Sequence, residues 1–175
     1  MPSKPVIPEL YIGIDPDVKA SGFAVWDKKK IGLCCYDLTD LLDMLLHLHK
    51  NHMVMVRLEA GWLIKKKSWH RGGMGSANSV GRNHEIGRQV EKFCQKHQIP
   101  YALVKPAGYS SFTHERFCAI TGWPISKRTN PETRVAGMLV YGWSGIVHNY
   151  TIELNPSLQG LLKDSLEKIF KDYKK

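Results

Sequence analysis

The chain has 175 residues, 43% of them hydrophobic, and its 25 Lys and Arg outnumber 16 Asp and Glu for a formal net charge of +9. Such a chain suits one globular domain burying roughly two-thirds of its unfolded surface. It lacks the ~20-residue apolar run of a membrane helix, and the proline-broken N-terminal MPSKPVIPEL is no signal peptide, so a soluble, cytoplasmic protein is expected. The basic balance suits a polyphosphate partner.

Taken in chain order, ELYIGI (9–14) and SGFAVWD (21–27) form a hairpin, and KIGLCCYDL (30–38) adds a third strand. LTDLLDMLLHLHKN (38–51) spaces its leucines for a helix, with Thr39 as N-cap and Asp40 and Asp43 near the positive end. HMVMVRLEAG (52–61) reads as a central strand covered on both faces. Residues 62–82 lose periodicity and collect glycine and positive charge, which predicts a loop. A helix follows over 83–98, then a fifth strand over 99–106, closed by Pro106.

SFTHERFCAITG (111–122) predicts a short helix closed by Gly122, and PETRVAGMLVYGW opens another with Pro131 in its first turn. A last amphipathic helix is expected at about 156–173. The order of elements is that of an α/β domain with one mixed sheet: an antiparallel meander, then strands added by right-handed helical crossovers. Cys34, Cys35, Cys94 and Cys118 show no CxxC spacing and no pattern of His partners, so they read as reduced core thiols of an intracellular protein.

Two of these strands end in an acid. Asp15 closes the first and Glu59 the fourth, and as neighbours in the sheet they would bring two carboxylates to one edge, where crossover loops leave room for a ligand. Repulsion between them calls for a cation, and Mg²⁺, with Mn²⁺ as a substitute, suits one or two carboxylates plus substrate phosphate. For Asp15 alone, a turn with Pro16 is the simpler explanation.

GIDP with its hairpin partner SGFAV, RLEAG after the first helix, and the late TNPETRVAGMLVYG together resemble the RuvC-type Holliday junction resolvases of the ribonuclease H-like superfamily, over about residues 9–145. GIDP alone also resembles the phosphate loop of sugar-kinase and actin-like ATPases, which need a second, duplicated domain that 175 residues do not leave room for. The resolvase resemblance implies a five-stranded ribonuclease H-like sheet of order 3-2-1-4-5 with strand 2 antiparallel. It also implies four acidic metal ligands: Asp15 and Glu59 match two of them, and the late helix supplies the other two, three residues apart, at Glu132 and at a position where this chain has Val135. In that scheme Asp15 bridges two Mg²⁺ ions, Glu59 holds one of them, and Glu132 holds the other or orients the attacking water.

The implied substrate is branched DNA and the implied assembly a homodimer, formed through the 83–98 helix. Lys65, Lys66, Lys67, Trp69 and Arg71, in a basic run just after Glu59, are candidates for phosphate contact and base stacking. Lys105, Lys127 and Arg128 form a second basic set. His114 reads as a helix surface residue, and Ser21 and Gly22 as hairpin residues. Val135 leaves a second class open, a ribonuclease H-like protein that binds DNA junctions without cutting them.

Overall fold

The computed structural model describes residues 7–64 and 74–144, with 74–78 as backbone only. The expected last helix at 156–173 and the basic run 65–71 therefore lie outside the described residues. Five strands make one sheet: β1 (Leu10–Asp15), β2 (Ser21–Trp26), β3 (Ile31–Tyr36), β4 (Val54–Glu59) and β5 (Tyr101–Val104), in the order β3-β2-β1-β4-β5. β1 runs antiparallel to β2 and parallel to β4, and β4 is parallel to β5. This is the order and sense that the ribonuclease H-like resemblance implies.

Helices α1 (Leu38–Asn51), α2 (Met74–His97), α3 (His114–Thr121) and α4 (Pro131–Val140) complete the described chain. Among the described residues no helix is long and apolar enough to cross a membrane. Alternation along the strands divides the core. Ile12, Ile14, Val54, Val56 and Leu58 pack with Leu41 and Leu45 of α1 and Val90 and Cys94 of α2. Tyr11, Ala24 and Trp26 pack with Val135, Ala136, Leu139 and Val140 of α4. By the same period of two, Asp15, Gly22 and Glu59 belong to the α4 side.

Helix α4 lies unusually close to the sheet because Gly13 and Gly22 face it. A Cβ on Gly13 would overlap the Ala136 carbonyl, and one on Gly22 would overlap the Glu132 carbonyl and stand 2.9 Å from the Thr133 nitrogen. Gly22 therefore seats the first turn of α4, a role beyond the hairpin that its position in the sequence suggests. Ser21 is buried, and its hydroxyl accepts from the Asp17 amide at 3.1 Å and donates to the Asp17 carbonyl at 3.3 Å.

The start of α4 is held by a capping box: Asn130 accepts from the Thr133 amide at 2.8 Å, Thr133 answers to the Asn130 amide at 3.2 Å, and Pro131 occupies the first turn. The far end is held by Arg57, whose Nε donates to the Leu139 carbonyl at 2.6 Å while its guanidinium lies 3.6 Å from the Trp143 ring centre. A cation there also complements the negative end of the helix.

Three expectations need correction. α1 is capped by Asp37, which accepts from the Asp40 amide at 2.9 Å, and Thr39 lies inside the first turn. α2 begins at Met74, so 74–82 is helix where glycine and serine predict loop. Of the cysteines, all free, Cys94 and Cys118 are buried but Cys34 is exposed, so the core reading holds for only part of the set.

Candidate active site

The acidic edge is assembled by register. Ile14 pairs with Leu58 across the parallel β1–β4 ladder, which puts the next residues, Asp15 and Glu59, side by side at the strand ends. On the other flank Asp15 pairs with Gly22, and Gly22 pairs with Cys35. Because Gly22 admits the first turn of α4, Glu132 arrives over the same end of the sheet.

Asp15 and Glu59 share a side-chain hydrogen bond, which two carboxylates can make only when one carries a proton. Burial pushes the Asp15 carboxyl up to about 8, with the negative charge of Glu59 next in weight and the charges of Glu132 and Asp17 adding to it. Burial also raises Glu59, against the hydrogen bond from Asp15, which lowers it. The pair thus retains one proton well above the ordinary carboxylate range. All-oxygen donors of this kind fit Mg²⁺ or Mn²⁺, and a cation would take the place of the shared proton. Among the described residues no three His, Cys, Asp or Glu side chains are grouped closely enough to hold a metal ion. Glu132 reaches Asp15 through its charge without completing such a group in this arrangement.

A cavity of about 230 Å³ opens beside the pair, lined among others by Asp15, Pro16, Pro106, Glu59, Trp62, Asn83 and His84. The last three of these escape sequence reading, since Trp62 sits in a short 3₁₀ turn after β4 and Asn83 and His84 come from the early part of α2. Asn83 ties the β1–β2 turn to α2: its Oδ1 accepts from the Val18 amide at 3.1 Å and its Nδ2 donates to Asp17 at 3.1 Å. Trp62 meets the His84 ring edge-on with centroids 6.0 Å apart, and Gly87 leaves room for its six-membered ring. Burial, with Arg88 adding to it, lowers His84 below the usual histidine value, so its ring is neutral at pH 7.

Val135 is 2% exposed and belongs to the apolar cluster of Tyr11, Ala24 and Trp26. The helix position at which the resemblance implies a fourth acid is here part of the core. Val135→Asp is expected to destabilise the fold by about 3–5 kcal/mol through an uncompensated buried charge, read as a lower midpoint in urea at pH 8. An unchanged midpoint would mean that the position opens toward the acidic edge.

Of the basic candidates within the described residues, Lys105, Lys127 and Arg128 are all exposed, Lys105 just before the cavity residue Pro106. Lys65, Lys66, Lys67, Trp69 and Arg71 lie outside the described residues. His114 is more than a surface residue: its ring bridges Thr129 and Ile125 in the loop that leads into α4.

No protein-family model matches the sequence, and no curated protein matches it. Among solved structures, one match is T. thermophilus RuvC in complex with a Holliday junction substrate, at 16% identity and a TM-score of 0.46, covering 75% of this chain and 88% of that one.

Proposed function

We propose that the protein is a metal-dependent, structure-selective endonuclease that hydrolyses phosphodiester bonds in branched DNA, four-way junctions included. The observation that carries this reading is the half-buried Asp15–Glu59 pair at adjacent strand ends, side by side at the wall of an open cavity and under the charge of Glu132. Folding gains nothing from driving two carboxylates together, whereas a cation-dependent reaction needs them there. The ordered motifs that resemble RuvC-type resolvases support the same substrate class, and the net charge of +9 suits a polyanion.

In this reading Asp15 and Glu59 would hold Mg²⁺ or Mn²⁺, with Glu132, whose charge Asp15 already feels, as the third acid of the edge. The ion, when bound, supplies a water of lowered pKa and stabilises charge on the departing 3′ oxygen. The chain itself fixes the carboxylates on two hydrogen-bonded strands, walls the cavity with Pro16 and Trp62, and offers Lys105, Lys127 and Arg128 to flanking phosphates. A homodimer acting in the cytoplasm belongs to the proposal, since a four-way junction presents two symmetric strands.

The test is cleavage of an end-labelled four-way junction with Mg²⁺ and with Mn²⁺. Symmetric nicks are expected from the wild type, lost by roughly a thousandfold in Asp15→Asn, the scale of several kcal/mol of metal-borne stabilisation. Nicking that survives in both Asp15→Asn and Glu59→Gln would overturn the assignment.

One pair of observations favours a second reading, a junction-binding protein that does not cut: Val135 is committed to the core, and the described residues hold no three-ligand metal group. Salt-sensitive binding of the junction without product under either metal would establish it.

A further inference from the structure

The loop that joins α3 to α4, residues 122–130, is tied down along its length. Gly122 takes the left-handed conformation at φ 71° and its amide donates to the Cys118 carbonyl, closing α3. The Trp123 indole donates to the Lys127 carbonyl at 2.7 Å, and the Lys127 amide donates to the Pro124 carbonyl at 2.9 Å, closing a tight turn. His114 braces that turn from α3. Its Nε2 lies 2.8 Å from the Ile125 carbonyl, which can only accept, so Nε2 carries the hydrogen. In the neutral ring Nδ1 then accepts from the Thr129 hydroxyl at 3.0 Å, while Arg134 donates to the Thr129 carbonyl at 3.1 Å.

What this bracing presents is an apolar tip followed by two cations. Ile125 is 60% exposed, and Lys127 and Arg128 follow it, both exposed, with Glu115 close enough to feel the charge of Arg128. An exposed isoleucine is ordinary on a surface. On a loop fixed by side-chain hydrogen bonds and followed at once by positive charge, it has the form of the apolar wedges that enter a DNA groove and unstack a base step. The loop ends at the acidic edge: Asn130, which caps α4, lies 3.0 Å from the Cys35 sulfur, and Cys35, Gly22 and Asp15 form one row across the sheet.

We infer that residues 122–130 form a rigid DNA wedge in which Lys127 and Arg128 grip backbone phosphates and Ile125 inserts at a base step beside the branch point. His114 is its positioning residue. This rests on the branched-DNA reading and adds to it the element that distinguishes a branch from a plain duplex.

The test places 2-aminopurine at the branch point of a four-way junction and at the matching position of a linear duplex, in EDTA so that nothing is cut. Wild type is expected to raise the junction fluorescence severalfold and to leave the duplex unchanged. Ile125→Ala keeps junction affinity within about tenfold but loses that rise, and Ile125→Leu restores it. Lys127→Ala and Arg128→Ala weaken binding to both DNAs, each reducing the slope of log affinity on log salt by about one. A full fluorescence rise in Ile125→Ala, or an unchanged salt slope in both charge variants, overturns the wedge while wild-type junction binding keeps the nuclease reading standing. Wild type that binds neither DNA overturns both.

Discussion

Asp15→Asn is expected to make the metal-free protein more stable above neutral pH. The Asp15 carboxyl is raised from 3.8 to about 8, chiefly by burial and then by Glu59. A raised folded-state value contributes stability that is fully present below the unfolded value, near pH 4, and is lost as pH climbs through about 8. Between those limits the folded state binds more protons than the unfolded one, so stability falls with rising pH, by a total on the order of 5 kcal/mol. Asparagine keeps a donor for Glu59 and has nothing to ionise, so the variant loses this slope. In EDTA at pH 9 its melting temperature is expected to exceed that of wild type by roughly 10 °C, with the two converging near pH 4. Millimolar Mg²⁺ should then raise the wild type and leave the variant where it is. Parallel pH profiles for the two proteins would show that the pair does not hold its proton in solution.

Gly22→Ala is the second large effect, and it acts through a backbone. The new methyl would occupy the space of the Glu132 carbonyl, which belongs to a capped first turn and cannot swing aside as a flexible side chain could. Overpacking of this kind costs about 3 kcal/mol. The same shift moves Glu132 relative to Asp15, and under the proposed nuclease function a displacement of about 1 Å there is expected to cost roughly a hundredfold in rate. Gly32→Ala, on β3, is the matched control, because a Cβ there meets nothing within 4 Å. That control is expected to be neutral or to stabilise by about 0.5 kcal/mol. If the two alanine variants melt together, α4 is not seated on the strand in the way described.

Periodicity carried most of the fold. The apolar runs of β1 to β5, the leucine face of α1 and the Pro131 start of α4 appear in the sequence because local pattern and tertiary role agree there. The start of α2 was illegible for the opposite reason: MGSANSVGRN is poor in helix formers and apolar spacing, so propensity argues for a loop where the chain is helical. Sequence pattern puts the cap of α1 two residues late, at Thr39, whereas Asp37 stands three residues before the amide it caps. Asp15 and Glu59 were legible as strand-end acids, since strand ends are local features. Asn83 and His84 were not, because only the crossing of α2 over the strand ends brings them to that cavity, where they meet Trp62 from the turn after β4. Val135 was legible as a departure from a motif, but its place in the core emerges only once α4 is set against Tyr11 and Trp26.

The seating of α4 on Gly13 and Gly22 also orders events during synthesis. The hairpin that carries Asp15 leaves the ribosome more than a hundred residues before Glu132, and the two meet only when α4 docks backbone to backbone. Such a long-range contact is made late, since its loop must close before it yields anything. A nascent chain therefore carries β1 and β2 with one face open and no assembled acidic edge, and the site comes into being together with the finished fold.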